Sequence, residues 1–332
     1  MNWKEQREQL IRKIFSAGAD ELHSLTLDVF KYQVGFNPVY GRYVKSLRHD
    51  WKDISNPAEI PFLPIEFFKN FEILTGFTKA DTVFSSSGTT GMEVSRHFVP
   101  DPEIYRTSFR MGFELFYGPV EEYCLLALLP SYMEREGSSL ILMADDLIRQ
   151  SKNPHSDFYL KHSAELSELL KSLKIKKQKT ILLGVTFALL DFAEAFPLSF
   201  PELIVMETGG MKGRKKEMVR EEIHDVLRKG FDVPAIHSEY GMTELLSQAY
   251  SKGNGLFFTP PWMKIFLRDT NDPFTFVEPG TTGGINVIDL ANLDSCAFIA
   301  TQDLGKMHND GSFEVIGRFD YSDVRGCNLL VI

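Results

Sequence analysis

Cysteine is scarce: only Cys124, Cys296 and Cys327 occur in 332 residues. The number is odd and no pair has metal-ligand spacing. That argues against a disulfide framework and a thiolate metal site, and it sets the expectation of a reducing, cytoplasmic setting. Long hydrophobic runs are also missing. Residues 123–130 and 181–185 have the length of buried strands, not of a membrane span, so no transmembrane segment is expected. The first eight residues are charged and lack the apolar stretch of a signal peptide. No long block of Lys and Arg offsets the net charge of −9, which disfavours nucleic acid and anionic membranes as partners. The short basic run at 174–179 reads as a solvated helix end and loop. There is no internal repeat and no low-complexity tract.

What is present is the composition of an ordinary globular protein, 43% hydrophobic and 24% charged, with 27 Phe that read first as core filling. The length suits one large α/β domain or about two domains. Residues 2–50 read as helices: Leu10, Ile11, Ile14 and Phe15 form one apolar face, Leu22, Leu25, Val29 and Phe30 another. Pro57, Pro61 and Pro64 punctuate a stiff connector. From residue 82, strands and helices alternate. Strands are expected at 82–84, 123–129, 180–184 and 203–206, and helices at 104–117, 137–150, 160–173, 187–196 and 215–229. This alternation predicts an α/β fold with a largely parallel sheet. From residue 233 short strands dominate, which predicts a division into an α/β unit at 1–232 and a β-rich subdomain at 233–332.

Four segments carry candidate chemistry. The first is Ser85, Ser86, Ser87, Gly88, Thr89, Thr90 and Gly91, directly after a strand. Its glycines let the backbone turn and expose N–H groups, and N–H and hydroxyl groups together suit phosphate oxygens. A plain flexible loop has the same composition, and no Gly-Lys-Ser/Thr makes it a Walker loop. The second is Tyr240-Gly241-Met242-Thr243-Glu244. Thr beside Glu suits a hard divalent cation bridging phosphates; the alternative is a turn leading into a helix, with Thr243 as cap. The third is Thr301-Gln302-Asp303, where an Asp at a strand end suits the two hydroxyls of a ribose, or a turn. The fourth is Gly317-Arg318-Phe319-Asp320, which alone reads as a surface turn.

In this order the four segments resemble the adenylate-forming superfamily of acyl-CoA synthetases, luciferases and peptide-synthetase adenylation domains. The resemblance implies that Ser85, Ser86, Ser87, Gly88, Thr89, Thr90 and Gly91 form the phosphate loop and that Gly209, Gly210 and Met211 form the adenine-side turn. It implies that Thr243 and Glu244 of the Tyr-Gly-x-Thr-Glu motif face the phosphates and Mg²⁺, with Glu244 the metal ligand. Asp303 matches the ribose-binding Asp, and Arg318 with Asp320 the Gly-Arg-x-Asp hinge. ATP and Mg²⁺ are the implied cofactors and a carboxylic acid the substrate. The fold it implies is that of the N-terminal part of these enzymes.

Two departures stand out. Met92-Glu93 follows the loop in place of Pro-Lys, and the sequence given ends twelve residues after Asp320, without the small domain that carries a catalytic Lys. With Pro61-Phe62-Leu63-Pro64-Ile65-Glu66-Phe67-Phe68-Lys69 and Pro130-Ser131-Tyr132, the chain is similar to acyl-protein synthetases of the LuxE type. That narrower resemblance implies activation of a long-chain fatty acid and transfer of the acyl group to Cys327. Delivery to an acyl-reductase partner follows. Arg325 is placed to favour the Cys327 thiolate, whereas the bland alternative is a small core thiol beside Leu329 and Leu330. Lys212, Arg214, Arg318 and Arg325 are the candidates to replace the missing Lys. His237 is expected either to wall the acid or adenine pocket or to be a hydrogen-bonded core residue. Cys124 is expected to be packing. The competing expectations are a CoA ligase resembling phenylacetate-CoA ligases and an adenylate-binding protein without catalysis.

Overall fold

The computed structural model describes the chain except residues 1, 19, 49, 87–93, 131–136, 210–217 and 320–332. The N-terminal region folds into α1 (Trp3–Ile14), α2 (Leu22–Phe36) and α3 (Pro38–Leu47). Asn2 caps α1 in a capping box with Glu5, and Asn37 caps α3, whose Pro38 needs no N–H at that position. The Pro-rich connector supplies β1 (Leu63–Pro64) and α4 (Phe67–Asn70), and a separate hairpin follows, β2 (Thr82–Ser85) with β3 (Arg96–Val99).

The alternating region comprises α5 (Pro102–Tyr117), β4 (Cys124–Leu128), α6 (Ser139–Ser151), β5 (Asp157–Phe158), α7 (Ser163–Ile175), β6 (Thr180–Val185), α8 (Thr186–Ala195), β7 (Ile204–Thr208) and α9 (Arg220–Phe231). The expected helix at 215–229 begins later, because Val219 is extended. Its acidic first turn, Glu221 and Glu222, suits the positive end of the helix dipole. Strands then dominate: β8 (His237–Tyr240), β9 (Ala249–Ser251), β10 (Phe257–Phe258), β11 (Met263–Arg268), β12 (Thr282–Asp289), β13 (Phe298–Met307) and β14 (Phe313–Arg318).

Among the described residues one twelve-stranded sheet runs in the order β11-β12-β13-β14-β10-β9-β8-β7-β6-β4-β5, with β1 against β13. Pairing is parallel from β5 through β8 and antiparallel from β8 through β11. The sheet therefore crosses the 232/233 position through the parallel β7–β8 pair, and the direction of pairing changes one strand later, between β8 and β9. Strand β4 is buried at every position. Its residues alternate between two cores: Cys124, Leu126 and Leu128 pack with α7, α8 and α9, and Leu125 and Ala127 with α5 and α6. Cys124 is thus a packing residue, as expected, and burial pushes its thiol up to about 11. Cys296 is also fully buried, donates weakly to the Phe298 carbonyl and is pushed up to about 12, so neither thiol is a nucleophile at neutral pH.

From β4 the chain reaches β5 on one side and then returns to β6 on the other. Such a change of winding leaves a crevice beyond the carboxyl ends of parallel strands, where ligands of open α/β sheets bind. The segments after β4, β6, β7 and β8 all leave from those ends.

Candidate functional site

The hairpin β2–β3 presents the Ser/Thr/Gly segment. Ser85 closes β2, its N–H donating to Gly137 O at 2.9 Å, which ties the hairpin to the segment after β4. Ser86 N donates to Ser95 O, and Ser95 N to the Ser86 hydroxyl at 3.0 Å, so the two ends of the loop are fastened together. Ser87, Gly88, Thr89, Thr90 and Gly91 lie outside the described residues, as do Gly210, Met211, Lys212, Arg214, Asp320, Arg325 and Cys327. Gly209 ends β7 with a positive φ of 70°, a conformation that favours glycine. Its carbonyl accepts from the Thr186 hydroxyl at 2.8 Å.

Residues 240–244 do not cap a helix. The chain turns at Thr243 and Glu244 and enters β9 at Ala249. The turn is held by groups distant in sequence. Thr243 O meets His97 Nδ1 at 2.8 Å, Glu244 O accepts from Asn292 Nδ2 at 2.8 Å, and His97 Nε2 meets Asn292 Oδ1 at 3.0 Å. His97 lies on β3, immediately after the Ser/Thr/Gly loop, so one side chain couples the first motif to the second. Burial pushes its imidazole down to about 4, and at neutral pH the ring is uncharged and donates through one nitrogen. Further on, Leu246 N and Ser247 N donate to Asp289 Oδ2 at 2.7 and 3.0 Å, and the Ser247 hydroxyl to Oδ1 at 2.5 Å. Burial nevertheless raises the Asp289 carboxyl to about 6. The Glu244 side chain is buried.

The third and fourth motifs meet directly. Asp303 was expected at a strand end and Arg318 in a turn. Instead β13 continues to Met307 and β14 to Arg318, and the antiparallel register sets Asp303 opposite Arg318. Arg318 Nε donates to Asp303 Oδ1 at 3.0 Å, and the Tyr240 hydroxyl donates to Oδ2 at 2.9 Å. The carboxylate is buried, whereas the Arg318 side chain is 63% exposed. Tyr240 packs edge-on against Phe257 and Phe313 at centroid distances of 6.0 and 5.7 Å.

Alternation along β8 sends neighbouring side chains to opposite faces. Tyr240 faces Asp303, while Glu239 faces Thr208, which donates to its Oε2. Burial pushes the Glu239 carboxyl up to about 7. Gly241 leaves room for this carboxylate: a Cβ there would lie 2.4 Å from Glu239 Oε1, so the carboxylate would have to shift. On the same face an apolar cavity is lined by Phe113, Met143, Leu147, Leu183, Met206 and Tyr250, with about 20 Å³ open to water-sized molecules. That is room for about one water, but the two methionines are adaptable liners. His237 accepts or donates through Nδ1 to the Tyr117 hydroxyl at 3.1 Å and is pushed down to about 4 by burial and Lys252.

Sequence reasoning missed His97, Asn292, Asp289 and Glu239. For Glu239 the available signal was its place two residues before Gly241, beside the second motif; His97, Asn292 and Asp289 offered none, since their partners are distant in sequence. No three metal-ligating side chains cluster among the described residues. Mg²⁺ often needs only one or two protein carboxylates when phosphates supply further oxygens, so a lone Glu244 is compatible with that ion.

At the level of sequence, no protein-family model and no curated protein matches the chain. Among solved structures it is similar to ATP-bound MatB from Rhodopseudomonas palustris, at a TM-score of 0.55 and 15% identity. The match covers 71% of this chain and 47% of MatB, so the chain spans about half the length of that protein. It is also similar to 2-hydroxyisobutyryl-CoA ligase in an open conformation with 2-HIB-AMP and CoA, at a TM-score of 0.64 and 13% identity over 93% of this chain and 78% of that one. The same ligase in its postadenylation state with R3-HIB-AMP matches at 0.66 and 13%, over 93% and 70%. At such identities the likeness is one of fold, and the chain has the mixed α/β fold of the N-terminal-type domain of adenylate-forming enzymes.

Proposed function

We propose that the protein activates a carboxylic acid with ATP, forming an acyl-adenylate and pyrophosphate. The observation that carries this reading is the convergence of Tyr240, Asp303 and Arg318, from three separate motifs, in one hydrogen-bonded set. That set adjoins a turn, Thr243 and Glu244, which His97 fastens to the Ser85 hairpin.

A carboxylate oxygen attacks the α-phosphorus of ATP, the new O–P bond forms in line, and the bond to pyrophosphate breaks. Both reactants are anionic, so the protein must offset like charge and fix the approach. Asp303 accepts from the ribose hydroxyls while Arg318 and Tyr240 hold its carboxylate in place. Ser85, Ser86, Ser87, Gly88, Thr89, Thr90 and Gly91 supply hydroxyl and N–H donors to the phosphates, and Gly209 and Gly210 border the adenine. Gly241 lets the chain pass Glu239 so that Thr243 and Glu244 reach the phosphates. Bound Mg²⁺, with Glu244 as its protein ligand, would supply positive charge to the phosphate oxygens.

The finer reading is that the acid is a long-chain fatty acid and that the Cys327 thiolate displaces AMP, giving a thioester for an acyl-reductase partner. The support for it is the apolar lining beside β4, β6 and β7, in a space that holds about one water as it stands and would have to widen to take a tail. Transfer to CoA is the second reading, favoured by the CoA ligase among the similar structures.

ATP–pyrophosphate exchange across a panel of acids tests the activation step. Exchange is expected in the wild type, with a loss of about 100-fold or more in Asp303→Ala and in Glu244→Gln, on the scale of removing a positioned polar group. Unchanged exchange in both variants would sink the assignment. Hydroxylamine-sensitive label on the protein, lost in Cys327→Ser, supports acyl-protein formation, and soluble acyl-CoA supports the second reading.

A further inference from the structure

The face of the sheet opposite the Tyr240–Asp303 pair holds polar atoms that the activation chemistry does not use. Buried polar groups are nearly always hydrogen-bonded, and an orphan calls for a partner that binds. Here two orphans are carried two residues apart in the chain. Gln248 Oε1 and the Tyr250 hydroxyl are buried with no hydrogen-bond partner among the described residues, and their side chains are 6% and 2% exposed. Gln248 and Tyr250, two residues apart, flank Ala249 at the start of β9 and so share a face. Tyr250 is paired in register with Glu239, and both Glu239 Oε1 and the Gln248 stem close around the α-carbon of Gly241. Thr208 donates to the other Glu239 oxygen, Oε2. Tyr250 also lines the apolar cavity.

The set is rich in acceptors: Gln248 Oε1 is one in any state, and the Glu239 carboxyl, raised to about 7 by burial, is one when ionised. A phenol accepts as well as donates. Tyr250 borders an apolar space, and Glu239, its partner in register, lies on the strand whose opposite face carries Tyr240. An unsubstituted alkyl chain entering that space would leave Gln248 Oε1 and the Tyr250 hydroxyl unsatisfied, at the full desolvation penalty.

We propose that Glu239, Gln248 and Tyr250 form a recognition site for a hydrogen-bond donor, a hydroxyl or an ammonium group, carried by the acid substrate on an otherwise apolar body. The proposal rests on the adenylation reading and narrows its substrate class. Selection operates by the asymmetry that makes a polar site reject an analogue lacking the polar group, while an apolar pocket discriminates weakly.

The test is pyrophosphate exchange by the whole chain with acids in pairs of equal carbon skeleton. One member bears a hydroxyl or an amino group, and its partner bears hydrogen there. The expected result is a kcat/KM for the best donor-bearing acid about 100-fold or more above its partner. Gln248→Met, close in shape and without the acceptor, is expected to cut that ratio about tenfold or more, through the KM of the acid and not that of ATP. Glu239→Gln distinguishes the two donors: it removes charge, so an ammonium-bearing acid loses more than a hydroxyl-bearing one. The wild-type ratio is informative even where a variant does not fold. A ratio near one in the wild type, with exchange present, overturns the donor site and leaves adenylation standing. Absence of exchange with every acid, while ATP still binds by calorimetry, overturns both.

Discussion

Replacing Asp303 with Ala removes one acceptor from two donors whose surroundings differ, and the difference sets the outcome. Arg318 is 63% exposed on its side chain, so water takes over its hydrogen bond, and the lost pair is worth about 0–1 kcal/mol. Tyr240 is 8% exposed, enclosed by Phe257 and Phe313, and its hydroxyl cannot turn to water. Thr301, the other hydroxyl facing it, donates to Ile285 O and accepts from Asp303 N, so it can offer Tyr240 one remaining lone pair in place of a charged carboxylate. A stranded buried hydroxyl costs about 1–3 kcal/mol, so Asp303→Ala should lose about 2–3 kcal/mol in all. Urea unfolding at neutral pH measures it. The decisive control is Tyr240→Phe in the Asp303→Ala background, which deletes the stranded hydroxyl and should restore about 1 kcal/mol or more. A double variant as unstable as Asp303→Ala, or an Asp303→Ala protein as stable as wild type, refutes the reasoning. Asp303→Asn keeps an acceptor for Tyr240 and should lose less.

Three other outcomes are expected. His97→Ala leaves a hole beside Phe68 and Phe84 and frees Thr243 O and Asn292, costing roughly 3 kcal/mol, with pyrophosphate exchange falling because the Thr243–Glu244 turn loses its anchor. Chemical denaturation and exchange assays on the same preparation check it. Gly241→Ala sets a methyl 2.4 Å from Glu239 Oε1, and the forced shift should cost about 1–3 kcal/mol, read as a lower Tm. Burial raises the Glu239 carboxyl from 4.5 to about 7, so the folded protein holds that proton more tightly than the unfolded chain. This contribution is full below pH 4.5 and is lost as pH rises through 7, amounting to about 3 kcal/mol at 1.36 kcal/mol per pH unit. His97 and His237, pushed down from 6.5 to about 4, act in the opposite sense, and their contribution is lost as pH falls from 6.5 through 4. The stability difference between wild type and Glu239→Gln isolates the first effect; a difference that does not change between pH 4.5 and 7 would count against it.

The sequence alone determined the elements and the class of fold. Fully apolar runs such as Cys124–Leu128 announce strands buried on both faces, and the alternation with amphipathic helices announces parallel pairing. Local rules suffice there because each element's face is set by its own period. The resemblance of four motifs taken together, and not these local rules, singled out Tyr240, Asp303 and Arg318, and the local reading misjudged their setting. The apolar stretch at 297–300 reads as a strand, and Asp303 beyond it as a strand end or a turn, whereas β13 runs on through Asp303 to Met307. The residues of that extension remain extended because β12 and β14 pair on either side and take up their backbone groups.

Only the tertiary structure decided which residues meet. The β13–β14 register sets Arg318 against Asp303, a contact that no spacing in the sequence encodes. His97 and Asn292 are 195 residues apart and join only because the β2–β3 hairpin packs on the turn after β8. Glu239 and Tyr240 are adjacent in the chain, yet the pleat of β8 sends one to the Thr208 side and the other to Asp303. Burial, a property of the assembled sheet and not of either residue, then gives Glu239 its raised pKa and leaves Gln248 Oε1 and the Tyr250 hydroxyl without hydrogen-bond partners among the described residues.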